Sequence, residues 1–210
     1  MTSFAILTIS FLAALFFKLT KTKNARLYTL VLYGHITFFL LTVVALVLLL
    51  NSYSFKGFLT DKLFVIMFLA TGMILFGLFR HNHRLLKTYF ACFLLLPFLL
   101  LIGLFIPRLQ FITKVAGIGM LIDGEHSRYP IDKTYELQTS RVGLLSGGPT
   151  YSLIENKFLL FEKVTDDVVP KIGIPKSVQV DKVSKDSFRL RAITSEIENY
   201  QFDTTLTLKR

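Results

Sequence analysis

The stretch LKTYFACFLLLPFLLLIGLFI, residues 86–106, decides the fold, because the chain obeys one periodicity before it and another after it. At about 1.5 Å per residue it is long enough for a helix to cross roughly 30 Å of hydrocarbon, and its only charge, Lys87, stands at its start. Three more apolar runs precede it, at about 3–17, 27–50 and 63–79, so the first part of the chain reads as four membrane helices. The first run has no basic residue before it and no A-x-A-like cleavage site, and is read as a retained helix, not a signal peptide.

Downstream the apolar residues alternate with polar ones, as in a half-buried strand. FDTTLTLK, residues 202–209, is the clearest case; Tyr135/Leu137, Val178/Val180 and Phe188/Leu190/Ala192 repeat the pattern. Turn signals at Asp123-Gly124, Gly147-Gly148-Pro149, Glu155-Asn156, Ile174-Pro175 and Ser184-Lys185-Asp186 separate six to eight short strands. The expected fold is therefore a four-helix bundle in the membrane, residues 1–107, followed by a small all-β domain, residues 108–210, built as an antiparallel sandwich or barrel.

Charge divides at the same place. Up to Ile106 there are nine basic residues and one acid, Asp61; beyond it are fifteen basic residues and thirteen acids. The overall charge of +10 thus belongs mostly to the membrane flanks, and the nearly balanced β domain lacks the basic surface that nucleic acid requires. Lys18, Lys21, Lys23, Arg26, Arg80, Arg84 and Lys87 flank one side of the membrane, against Lys56, Lys62, Arg108 and Lys114 on the other. By the positive-inside rule this puts both termini and the β domain outside an inner (plasma) membrane, in the periplasm or extracellular space.

Few residues invite chemistry. Cys92 is the sole cysteine, which excludes a disulfide framework and a multi-cysteine zinc site. His35 is the one ionisable residue well inside a span, on a stripe with Tyr28 and Thr42 at seven-residue steps. With no intramembrane carboxylate for a proton relay, the stripe reads as helix packing, with a neutral imidazole bonded to a hydroxyl or carbonyl of a neighbouring helix. Pro97 removes one donor from the fourth helix and should kink it. Ser10 and Ala14, and Ala70 and Gly77, mark close packing seams within a monomer or between copies. Tyr28, Tyr53 and Tyr89 suit the headgroup layer, and Thr60-Asp61 fits an N-cap.

Several clusters are better explained by local structure than by a site: His81-Asn82-His83-Arg84 as a basic turn, Asp123-Gly124-Glu125-His126 as a hairpin bend, and Asp166-Asp167 as an exposed loop. Ser146-Gly147-Gly148 is not a hydrolase elbow, and no triad, phosphate loop or dinucleotide fingerprint is present. Arg189 and Arg191 on one strand face are candidates for contact with an anion or partner, the competing reading being a solvated sheet face. No catalytic residue, metal or cofactor is expected.

The expected function is that of a non-catalytic accessory or structural membrane subunit. Its partners would be the lipid bilayer and other membrane-protein subunits or further copies of itself, with the β domain as the docking module. The alternative is a ligand-gated effector, in which a small molecule bound by the β domain triggers pore formation or membrane disruption. A four-helix anchor joined to a small β sensor resembles the membrane effectors of bacterial nucleotide-signalled antiviral defence. The resemblance is one of layout, carried by no motif, and implies a cytoplasmic β domain, against the charge count.

Overall fold

The computed structural model describes residues 2–22, 24–57, 59–79, 83–111, 113, 125–141, 150–166, 168, 175–184, 187–194 and 201–207. Four apolar helices come first: α1 (Thr2–Leu19), α2 (Ala25–Leu50), α3 (Thr60–Leu78) and α4 (Arg84–Phe105). All four are long and apolar enough to cross a membrane, and their ends fall within about three residues of those read from the sequence. A helix suits such runs because it satisfies nearly every backbone N–H and C=O internally, leaving only apolar side chains to face hydrocarbon. The N-cap position falls one residue before the expected Thr60. Helix α3 begins at Thr60 itself, with Leu59 at the N-cap, while Asp61 falls in the first turn, where its carboxylate complements the helix dipole.

Helix α3 is the centre of this unit. It buries Ile66, Leu69, Ala70, Thr71, Gly72, Met73, Leu75, Gly77 and Leu78, whereas α2 buries only His35 and Ala45. The contact with α1 is close because both helices present small residues. A Cβ added to Gly77 would stand 2.4 Å from the Ala14 carbonyl oxygen and 2.8 Å from its Cα. Ser10 and Ala14 are buried on the α1 side of the bundle. Helix α4 meets α3 through Phe93, whose ring fills the space that a side chain at Gly72 would need. Pro97 lies within α4, and the helix continues beyond it to Phe105.

The chain then departs from the expected all-β course. Leu109 and Gln110 donate to the Ile106 carbonyl and Thr113 to that of Leu109, a helical turn that brings Thr113 against Gly103. Strands follow: β2 (Glu125–Pro130), β3 (Tyr135–Arg141), β4 (Thr150–Asn156), β5 (Phe161–Thr165), β6 (Pro175–Ser184), β7 (Ser187–Thr194) and β8 (Gln201–Thr207). The bend between β2 and β3 is an Asx turn, with Asp132 Oδ1 accepting from the backbone N–H of Thr134 and Tyr135, each at 2.8 Å. The hairpin expected at Asp123-Gly124 lies outside the described residues.

One strand is absent from the expected domain. Tyr53–Phe55, in the loop between α2 and α3, forms β1 and pairs antiparallel with β5, Ser54 opposite Glu162. The first sheet therefore has the order β1-β5-β4-β3-β2, and the second β6-β7-β8, both antiparallel. The five-stranded sheet ends on two different strands, β1 and β2, so it is not a closed barrel. By contacts the chain separates into two compact units: Met1–Val47 with Leu59–Asp123, and Leu48–Phe58 with Gly124–Arg210. The sheet unit therefore takes in part of the α2–α3 connection, while the helical unit runs past the division read after residue 107. Positive φ angles bracket β1, 62° at Ser52 and 103° at Gly57, where the chain turns sharply out of α2 and back towards α3.

The α1–α3 seam has a direct consequence. Because backbone, not a flexible side-chain end, stands opposite Gly77, Gly77→Leu should force the helices apart and cost about 1–3 kcal/mol. Unfolding of the reconstituted chain by steric trapping should show the loss, with Gly34→Leu, where nothing lies within 4 Å, as the mild control.

Candidate functional site

Two polar centres stand out, one in each unit. In the helical unit His35 of α2 is 4% exposed and contacts two other helices, α3 and α4. Its Nδ1 lies 3.0 Å from Thr71 Oγ1 on α3, and its Nε2 lies 2.8 Å from the Tyr89 hydroxyl on α4. Thr71 Oγ1 is also 2.8 Å from the Met67 carbonyl and 3.0 Å from that of Phe68, to which its single proton is donated. The hydroxyl must therefore accept from His35 Nδ1–H, which leaves Nε2 to accept from Tyr89. The neutral Nδ1–H tautomer satisfies all three groups. Phe68 stacks on the imidazole at 4.7 Å, while Phe90 and Phe93 meet it edge-on at 5.8 and 5.3 Å. The site is a clasp: α2, which buries so little, is joined through these long side chains.

The two other stripe residues behave differently. Tyr28 packs against Phe79, the C-cap of α3, with ring centroids 6.5 Å apart, beside the cluster of Leu75, Phe79 and Phe90. The Thr42 hydroxyl oxygen is buried, with no hydrogen-bond partner among the described residues. Tyr28 and His35 are thus brought to the same packing side, and Thr42 does not join their hydrogen bonds. Cys92 is exposed on α4.

The second centre crosses the five-stranded sheet. Arg128 on β2 meets Glu162 on β5 in a two-pronged ion pair, Nη1 to Oε2 at 3.0 Å and Nη2 to Oε1 at 2.8 Å. Its Nε donates to Gln138 at 2.9 Å, and Glu136 lies 3.5 Å from Nη1. Glu162 is 2% exposed, and the same Oε1 accepts from Ser54 of β1 at 3.2 Å. Two strands separate β2 from β5, roughly 14 Å in a flat sheet, so both side chains must lie across β3 and β4. Alternation puts Ser54, Arg128, Gln138, Ser152, Ile154 and Glu162 on one face, and Ser152 continues the polar belt by donating to Asp166 at 2.7 Å. The opposite face buries Leu137, Tyr151 and Leu153. Tyr151 is fully buried, its hydroxyl has no partner among the described residues, and burial, assisted by the neighbouring Tyr129 phenol, pushes its pKa up to about 12.

Sequence reading missed this belt because it depends on register. Each member is an ordinary polar residue at an alternating position, and only pairing across four strands brings Arg128 to Glu162. Arg189 and Arg191 occupy the central strand of the second sheet, Arg189 opposite Asp181 and Thr205, Arg191 opposite Gln179 and Asp203. Each arginine position thus has an aspartate position opposite it in the register. His83 is the N-cap of α4, and its carbonyl accepts from Lys87. Glu125 and His126 belong to β2; His81, Asn82, Ser146-Gly147-Gly148 and Asp167 lie outside the described residues. Among the described residues no group of three His, Cys, Asp or Glu is placed to hold a metal ion. Compared with known proteins, the chain matches no family model, no curated protein and no solved structure.

Each centre yields an expected outcome. His35→Phe keeps the aromatic packing and removes both hydrogen bonds, so it should cost about 0.6–1.7 kcal/mol in the membrane without preventing insertion. Steric-trap unfolding measures that cost, and any ion flux through the protein should be unaffected. Arg128→Met leaves a buried carboxylate uncompensated and should destabilise the sheet unit by about 3–5 kcal/mol. Adding Glu162→Leu should restore most of this, as read by urea denaturation of the detergent-solubilised chain.

Proposed function

We propose that this chain is a multi-pass inner-membrane protein whose helices anchor and pack and whose β unit, a sandwich of two antiparallel sheets, is a non-catalytic docking module. The partner is another membrane-protein subunit or a further copy of the chain. The observation that carries the reading is β1. A partner bound to the sheet pulls on a strand continuous with α2 at one end and leading into α3 at the other, so load reaches the anchor without passing through a flexible linker. The lipid-facing and partner-facing surfaces are apolar to match: Leu30, Tyr33, Leu40 and Val47 on α2 and Leu95, Leu99 and Ile102 on α4 are all exposed. The two polar centres are satisfied internally, as suits packing and register more than turnover.

β1 also supports the four-span topology. A loop that pairs with the C-terminal sheet lies on its side of the membrane, which requires an even number of crossings between them, and α3 and α4 supply two. The charge count places that side outside. The effector reading draws on the same strand: a ligand seated at the Ser54–Glu162–Arg128 belt would act directly on the α2–α3 connection.

Topology and role are tested together. In a Cys92→Ser background, Tyr53→Cys with Lys163→Cys joins register partners that a short bifunctional thiol reagent should cross-link in intact cells. Prior treatment with a membrane-impermeant thiol blocker from outside should abolish the cross-link. Deleting the sheet strands should release a co-purifying subunit while the helices still insert. Protection from the blocker, combined with membrane depolarisation when a soluble ligand is added, would instead favour the effector.

A further inference from the structure

The tip of the β4–β5 hairpin is the most exposed apolar feature of the sheet unit. Phe158, Leu159 and Leu160 are 72%, 87% and 60% exposed in succession, although polar residues normally occupy a turn surrounded by water. The tip is tied to the membrane connection by backbone. Leu160 O accepts from Lys56 N at 2.9 Å, and further along the same pairing Ser52 O accepts from Val164 N at 2.9 Å. Ser52 lies two residues beyond the last residue of α2, at most about 7 Å of extended chain, and four residues after Lys56 the chain is at Thr60, the first residue of α3. A strand so short, tethered to helix ends on both sides, must stay near the plane where those helices leave the hydrocarbon. The β5 strand beside it is held there too.

We infer that Phe158, Leu159 and Leu160 form a membrane foot that inserts into the headgroup–acyl boundary of the protein's own bilayer. The inference rests on the reading of the helices as membrane spans. Insertion of about 5–10 Å is typical of apolar segments that lie at this boundary, and the headgroup layer on each face is only about 7 Å deep. Lys56 and Lys157 flank the tip, and Lys157 also pairs with Glu155 at 2.6 Å, so the cationic ends stay at the level of lipid phosphates while the three apolar side chains go deeper. Phe55 and Phe161, with rings 5.3 Å apart, extend the apolar surface back along the two paired strands. The foot would thus give the sheet a third attachment besides the two ends of β1.

The protein contains no tryptophan, so a single introduced indole reports its own surroundings. Leu159→Trp, in full-length protein reconstituted in phosphatidylcholine vesicles, should lose emission when the lipids carry bromine in the upper part of the acyl chain, and should resist aqueous iodide. Phe158→Trp serves equally if the first variant folds poorly. Leu46→Trp on the exposed face of α2 should be quenched by brominated lipid, and Lys133→Trp, in the exposed β2–β3 turn, by iodide. Quenching of the tip by iodide alone, or by neither agent as when a second protein copy covers it, would overturn the foot if Leu46→Trp still senses lipid. Failure of Leu46→Trp to sense lipid would overturn the spanning reading and the foot together.

Discussion

The pairing of β1 with β5 is the constraint on which the remaining structure depends. The connection between α2 and α3, two helices long and apolar enough to cross a membrane, has backbone groups that need partners. Here three of its residues find them on a strand much later in the chain. The connection is short, and it bends through a left-handed serine and a left-handed glycine to present Tyr53–Phe55 as a straight edge. Ser54 then adds a side-chain bond to the carboxylate of Glu162, so the edge is held by both backbone and side chain. Removing this edge would leave β5 as an open strand and the buried Glu162 short of a donor.

Polar groups in both units follow one rule. In the helical unit His35 is buried between helices, and it is tolerated because each ring nitrogen faces a hydroxyl, the bonds of Thr71 to the Met67 and Phe68 carbonyls fixing which way the protons go. In the sheet unit water is excluded by the fold, and Glu162 is tolerated because a guanidinium meets both its oxygens. The departures are instructive. Thr42 and Tyr151 each bury a hydroxyl that no described residue satisfies, and in Tyr151 the phenol resists ionisation as a result.

What could be read from the sequence follows the range of the forces involved. The helices were legible because hydropathy is a local sum: twenty or so residues state their solvent without reference to the others. The paired strands β3, β6, β7 and β8 were legible from alternation, which is equally local. The central place of α3 was only hinted at by Ala70 and Gly77, since closeness depends on what the opposing helix offers, here Ala14. The stripe through His35 pointed to a packing face but did not identify Thr71 or Tyr89. β1 went unseen because three residues are too few for alternation to speak, and Tyr53 drew notice only as a tyrosine suited to a headgroup. The Arg128–Glu162 belt lay beyond any local signal, since its ends lie on strands separated by two others.

β1 also imposes an order on biosynthesis. Its partner strand is made roughly a hundred residues later, after two further apolar helices, so the edge cannot pair with β5 until then. Before that point Tyr53–Phe55 has no β5 to pair with, and an open edge is the kind of segment that pairs promiscuously with another chain. Any chain that ends before Phe161 therefore lacks the partner of that edge.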